Sequence, residues 1–277
     1  MIRKKPVLFK SAMLVAVSLV IGILAFGVLS QSAQSNQETA KTTEQNGNDK
    51  KSQVRARELD DAATPVVDLV SLDGVAVGTD RLLKNSRYDN EGIIKSEVDP
   101  NIANVVREPV EDIRDLPADQ SDLIVEGTVA DSAAFLSNDK GAVYSEITVN
   151  ITDVLKDTAG LNVKNGESIV AERFGGRVKY PNGQIVRYGI VGQGSPVRGK
   201  KYLFFLSQAG QGNYNLLTAY ELQGNKVQAL DGARVNLGLG KWVFDKHNDE
   251  DYQTFRKATE QAIANLPGEN QKRRFNP

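Results

Sequence analysis

From Val143 to Lys156 the chain reads VYSEITVNITDVLK, and in its middle Ile147, Val149 and Ile151 alternate with Glu146, Thr148, Asn150 and Thr152. Successive side chains point to opposite faces in an extended strand, so this stretch predicts a long strand with one face on a core and one in water. Further strands surround it. DLIVEGTVA, from Asp122, sets Leu123, Val125 and Val129 on one face, with Gly127 between them marking a bend or a close backbone approach. ESIVAERF follows from Glu167, then GGRVKYPNGQIVRYG from Gly175, where Pro181, Asn182 and Gly183 form the turn of a hairpin. KKYLFFLS, YNLLTAYEL and NKVQAL complete the series. So many short strands within residues 121–235 predict an all-β fold, a small antiparallel OB-like barrel.

The period changes near the C-terminus. In DEDYQTFRKATEQAIANLPG, Tyr252, Phe255, Ala258, Ala262, Ile263 and Leu266 recur at helical spacing, with acids before them and Pro267 and Gly268 after. Residues 236–277 therefore read as an amphipathic helix over the barrel, capped by Asp249, followed by a charged tail.

The N-terminal part has a different character. Ser11 to Leu29 carries no charge and follows Arg3, Lys4, Lys5 and Lys10. Such a run is long enough to cross a bilayer, and the preceding cations keep that end in the cytoplasm. Its length favours an uncleaved signal-anchor over residues 1–30. Val28, Ser30 and Ser32 are small enough for a signal peptidase, so a cleaved signal peptide and a secreted product is the alternative. Either way the rest of the chain is extracytoplasmic. Residues 31–60, rich in Gln, Asn, Ser, Thr and charge, read as a disordered tether. Residues 61–120 read as an extended acidic lead-in with short apolar pieces between prolines. The absence of cysteine excludes disulfides, thiolate metal sites and a lipid-modified cysteine, so an exported fold here depends on its core.

GSPVRGKK, from Gly194, lacks one hydroxyl of a phosphate loop. Lys201 stands where Ser or Thr would hold magnesium, and KYLFFLS reads as strand where the loop needs a helix. A serine triad requires a base, and the single histidine, His247, reads as a surface residue beside Asp249, while Ser195 has no G-x-S-x-G elbow. One histidine and no cysteine make a poor zinc site. Asp249, Glu250 and Asp251 lack the alternating spacing of a calcium loop. Glu126, Glu146 and Glu172 lie on strands, either as the polar face of a sheet or as a pair for glycoside hydrolysis, which needs two carboxyls about 5 to 10 Å apart. No cofactor is implied.

Between residues 172 and 201 every charged residue except Glu172 is basic. In this stretch Arg177, Lys179, Arg187, Lys200 and Lys201, with Tyr180 and Tyr188, form the predicted ligand-binding set. On the hairpin, period 2 sends Arg177 and Lys179 to one face and Val178 and Tyr180 to the other. Cations beside rings suit anionic polymers, lipid head groups or single-stranded nucleic acid, and export removes the last.

Read together, SDLIVEGTV, VYSEITVNITDVLK and VRGKKYLFFL resemble a set of uncharacterised exported bacterial proteins. These share a G-x-V strand, a Tyr-led strand ending in V-L-K and a strand opening with G-K-x-Y-L. More remotely, the order is similar to the netrin-like domain, a five-stranded OB-type barrel also found in tissue inhibitors of metalloproteinases. Those inhibitors rely on disulfides and an N-terminal cysteine, so the resemblance implies a barrel and transfers no functional residue. The expectation is a membrane-anchored or secreted, non-enzymatic binding module of the bacterial cell envelope. Its partners are the cytoplasmic membrane through residues 11–29 and an anionic envelope polymer, lipid head groups or a protein. The alternatives are an envelope-polymer hydrolase using strand carboxylates, or an inhibitor-like domain binding protein through its loops.

Overall fold

A computed structural model describes residues 63–70, 78–107, 114–158, 160, 162–210, 212–232 and 243–267. The expected membrane segment, tether and C-terminal tail lie outside these residues. Among the described residues no helix is long and apolar enough to cross a membrane.

The chain runs through β1 (Val66–Asp68), α1 (Thr79–Ser86), β2 (Asn104–Arg107), β3 (Leu123–Leu136), β4 (Val143–Asp157), β5 (Ser168–Phe174) and β6 (Gly176–Lys179). It continues through β7 (Ile185–Ile190), β8 (Lys201–Gln208), β9 (Tyr214–Gln223), β10 (Lys226–Ala229), a 3-10 turn at Val243–His247 and α2 (Tyr252–Ala264). The structure is mostly strand, in two sheets.

Five strands of the larger sheet form a circuit. β3 pairs antiparallel with β4 and with β8, β4 with β5, and β8 with β9. β5 and β9 then meet in parallel through Ala171–Tyr214 and Glu172–Asn215, and β10 extends the far end of β9. Side chains alternate accordingly. Ile147, Val149 and Ile151 from β4 join Leu123, Val125, Tyr202, Phe204 and Leu206 in one cluster. Leu203 and Phe205 point the other way, to Ile124, Tyr220, Phe244 and Phe255. This explains why KYLFFL is apolar without a break: β8 has a core on each side.

Gly127 sits at a register shift between β3 and β4. A Cβ there would lie 2.4 Å from Val149 Cγ1 and 2.8 Å from Asn150 O, so the close approach expected from the sequence is real.

The smaller sheet has the order β1-β6-β7-β2. Its centre is the hairpin at Pro181–Gly183, where Gly183 takes a positive φ of 85° and donates its amide to Tyr180 O at 2.9 Å. β1 and β2 add on in parallel from either side. The segment read as an extended lead-in thus supplies both edges of a sheet, and also the helix α1, which the sequence reading does not anticipate. Val67, Val178, Val186, Tyr180 and Tyr188 pack against Ala134, Leu136 and Val143 at the far end of the β3–β4 hairpin.

The C-terminal end differs from expectation in two details. Asp251 caps α2, accepting the Thr254 amide at 3.1 Å, whereas Asp249 occupies a left-handed turn with φ 65°. His247 is buried, at 4% exposure, because the 3-10 turn lays its ring edge-on to Tyr220 and Phe255. Its Nδ1 lies 2.5 Å from Glu250 Oε2 and its Nε2 3.2 Å from Asp115 Oδ2. The element after Gly199 is the strand β8, which completes the exclusion of a phosphate loop.

Candidate functional site

The seven residues predicted to hold a ligand separate into three places. Tyr180 and Tyr188 face inward at 3% and 1% exposure, their hydroxyls 2.5 Å apart, and Tyr180 donates to Lys95 O at 3.2 Å. Burial raises the pKa of both phenols. These rings are core, and a ligand has no access to them: period 2 that sends Arg177 outward sends Tyr180 inward, and the pairing of Gly176 with Tyr188 does the same across the hairpin. Lys201 opens β8, on the other sheet, and Lys200 precedes it. Lys200 pairs with Glu221 and Lys201 with buried Glu126, each at 2.7 Å. Glu126 also accepts from Arg256 Nη1 at 2.9 Å and from the Tyr252 hydroxyl, so this cluster fastens α2 to the strands. Elsewhere in the basic stretch, Arg173 is a buried partner of Asp231 at 2.6 Å, and it donates to Gly194 O at 2.9 Å.

Arg177, Lys179 and Arg187 remain together. Arg177 and Arg187 are direct partners across β6 and β7 on the outer side of the smaller sheet. Arg177 Nε donates to Thr64 O at 2.7 Å and Arg187 Nη2 to Gln193 O at 2.9 Å, which orients both guanidiniums. Lys179 is half-exposed, 3.6 Å from Asp68. Exposed aliphatic side chains share this side: Val66 beside Arg177, Ile185 opposite Lys179, and Val106 two places along β2 from Asn104, the partner of Arg187. They are three of the seven large apolar side chains exposed among the described residues, so the face combines cations with aliphatic surface.

The carboxylates produce a second constellation. Glu146 and Glu172 are direct cross-strand partners on β4 and β5, and α1 lies over both. Arg81 grips Glu146 through Nη1 at 2.5 Å and Nη2 at 3.0 Å, with its guanidinium 3.7 Å from the Phe135 ring centre. Lys84 Nζ is 3.1 Å from Glu146 and 3.8 Å from Glu172. Arg87 Nη2 donates to both oxygens of Glu172 at 2.6 Å, and Nη1 to Ala209 O at 2.9 Å. Tyr144 donates to Asn85 Oδ1 at 2.7 Å, accepts from Arg81 at 2.9 Å, and stacks on Tyr88 at 4.2 Å. Burial pushes the Tyr144 phenol up to about 12. Burial alone would lift Glu146 as well, but the hydrogen bonds and charges of Arg81 and Lys84 outweigh it and hold the carboxyl below its ordinary range.

Sequence reasoning placed Glu146 and Glu172 on strands without bringing them together. It missed Arg81, Lys84, Asn85 and Tyr88, whose spacing of i, i+3, i+4 and i+7 was the available signal of one helical face. No group of three or more metal-ligating side chains occurs among the described residues. No protein-family model matches this chain, and no curated protein matches it.

Proposed function

We propose that the chain is a non-enzymatic binding module of the bacterial cell envelope, built on an OB-like barrel and held at the cytoplasmic membrane through residues 11–29. The barrel reading draws on the strand order: the first strand of the circuit pairs with the second and fourth, and the third meets the fifth in parallel. The observation that carries the binding reading is the outer side of the smaller sheet. Arg177, Lys179 and Arg187 stand there among Val66, Val106 and Ile185. Cations interspersed with aliphatic side chains suit an anionic membrane surface, where the charges meet head groups and the aliphatic groups enter the interfacial region. A polymer of the wall would use the charges and leave the aliphatic groups idle.

The test is sedimentation of residues 60–277 with anionic vesicles, neutral vesicles and purified cell-wall polymer, at low and high salt. Binding to anionic vesicles that salt weakens is expected, with each of Arg177→Gln, Lys179→Gln and Arg187→Gln lowering it about fivefold. Salt-insensitive binding, or binding unchanged in the triple variant, refutes the role of this face. Sedimentation with wall polymer alone reassigns the partner.

The meeting of Glu146 and Glu172 favours a second reading, hydrolysis of an envelope polymer. Against it stands the environment of the pair. A general acid needs a raised pKa, and Glu146 is held low by Arg81 and Lys84. Turnover of a wall polymer that disappears in Glu146→Gln would establish this reading.

A further inference from the structure

A helix that belongs permanently to a core buries its apolar side chains. α1 does the reverse. Leu82 and Leu83 are 45% and 65% exposed, and Asn85 is the buried residue of the helix. Toward the strands it presents Arg81, Lys84, Asn85 and, one turn further, Tyr88, and three of these contacts are made to Glu146 and Glu172. Around the helix, Asn138 Nδ2 donates to Leu82 O at 2.9 Å, the Asn138 amide donates to Asp89 at 2.7 Å, and Arg87 reaches Ala209 O, while apolar packing begins past the helix, where Ile93 and Ile94 meet the cluster of Val67 and Tyr188. Apart from the Tyr88–Tyr144 stack and the Arg81–Phe135 contact, attachment is by charge and hydrogen bond. The side chains of Arg81, Lys84 and Arg87 keep about a quarter of their surface in solvent, where salt can reach them.

The surface beneath has the opposite character. With α1 seated, the Glu172 side chain is fully buried and that of Glu146 keeps 12% of its surface exposed, and Tyr144 lies beside them, two places along β4 from Glu146. Two carboxylates buried side by side beneath α1 are offset by the cations it brings; with α1 lifted they meet water, and a cationic segment would restore the same pairing. Such a surface is complementary to a cationic segment, and the contacts that anchor the chain after α1, Asp89 and Asn90 to Asn138 and Asp139 and Ile93 and Ile94 to Gly141, lie beyond the helix itself.

From this we infer that β4 and β5 form a docking face for cationic helical segments, and that α1 is its displaceable occupant within the chain. The matching ligand is a helix with Arg or Lys at i and i+3, an amide side chain at i+4 and an aromatic ring at i+7. When α1 lifts, Glu146, Glu172 and Tyr144 lose their partners together, and a second segment of the same spacing replaces it. The contact is autoinhibitory: the outside ligand gains entry in proportion to the fraction of molecules with α1 away. This inference stands independently of the outer sheet face.

The probe is a fluorescein-labelled peptide of residues 78–90, titrated into the full chain in detergent micelles and followed by anisotropy. In a variant carrying Arg81→Gln, Lys84→Gln and Arg87→Gln, the peptide is expected to bind roughly tenfold or more tighter than to the unaltered chain. Adding Glu146→Gln and Glu172→Gln should remove that binding, and a scrambled peptide of equal charge should not reproduce it. Equal affinity in the triple variant and the unaltered chain, or equal binding of the scrambled peptide, overturns the inference. Should the triple variant fail to fold, hydrogen exchange on the unaltered chain decides. The amides of residues 81–88 are expected to lose protection between about 0.02 M and about 0.5 M salt while β4 and β5 keep theirs. Protection of α1 equal to that of β4 at both salts makes it a fixed part of the fold.

Discussion

Lys84 places one ammonium 3.1 Å from Glu146 and 3.8 Å from Glu172, two carboxylates that face each other across adjacent strands. The pKa of Glu146 is depressed in the folded chain, so its ionised form stabilises that state at neutral pH. This contribution is present above the ordinary carboxylate pKa and is lost as pH falls through the depressed value. Protection of the α1 amides should therefore hold from neutral pH down to about pH 4 and decline below it. Glu146→Gln should flatten that decline. An unchanged acid profile in the variant would show that another group controls the contact.

The phenols predict an opposite limit at high pH. Burial raises the pKa of Tyr88, Tyr144, Tyr188 and Tyr220. A raised phenol stabilises the folded state below the unfolded value, near 10, and that stability is lost as pH climbs through the folded one. Absorbance at the tyrosinate band should stay low past about pH 10 and then rise together with loss of the folded signal. A gradual rise starting near pH 10 in a still-folded chain would contradict the burial of these rings.

Gly127→Ala tests the close approach of β3 and β4. The added methyl meets Val149 Cγ1 and Asn150 O, one of them backbone, so the ladder must shift. A loss of about 1–3 kcal/mol is expected, read from chemical denaturation. A neutral result would mean that the register irregularity at Glu126 and Gly127 can absorb a side chain.

Arg173 and Asp231 are both buried and clamp the chain at Gly194, whose carbonyl Arg173 binds and whose amide Asp231 accepts at 2.9 Å. Removing either partner alone leaves a buried charge, so Arg173→Met or Asp231→Leu should cost about 3–5 kcal/mol. The double variant should recover part of that loss. Denaturation midpoints of the three variants give the coupling directly.

The strands of the larger sheet were legible because their apolar residues alternate for long stretches, and the hairpin because Pro181–Gly183 has the chemistry of its turn. The Gly127 approach was visible for the same reason, as a missing side chain in an otherwise regular face. α1 was hidden by its polarity: Leu82 and Leu83 are adjacent, without helical spacing, and its inward residues resemble a solvated loop. β1 and β2 were hidden by length, since Val66–Asp68 and Asn104–Arg107 are too short for a period and gain their pairing from the hairpin between them. The basic stretch was legible in composition only. Which cations share a surface depended on strand pairing, and that assigned Lys200 and Lys201 to buried acids on the other sheet. His247 illustrates the same gap. Nothing near it in sequence indicates that Asp115 will meet its ring.

The circuit of strands has one parallel joint, Ala171–Glu172 with Tyr214–Asn215, between segments distant along the chain. At two residue pairs it is the shortest pairing in the circuit, so the fewest backbone hydrogen bonds hold it. Arg87 spans that seam. One of its nitrogens binds Glu172 on one lip, and the other binds the carbonyl of Ala209, which leads into the opposite lip. A single guanidinium thus works as a clasp between β5 and the turn that leads into β9.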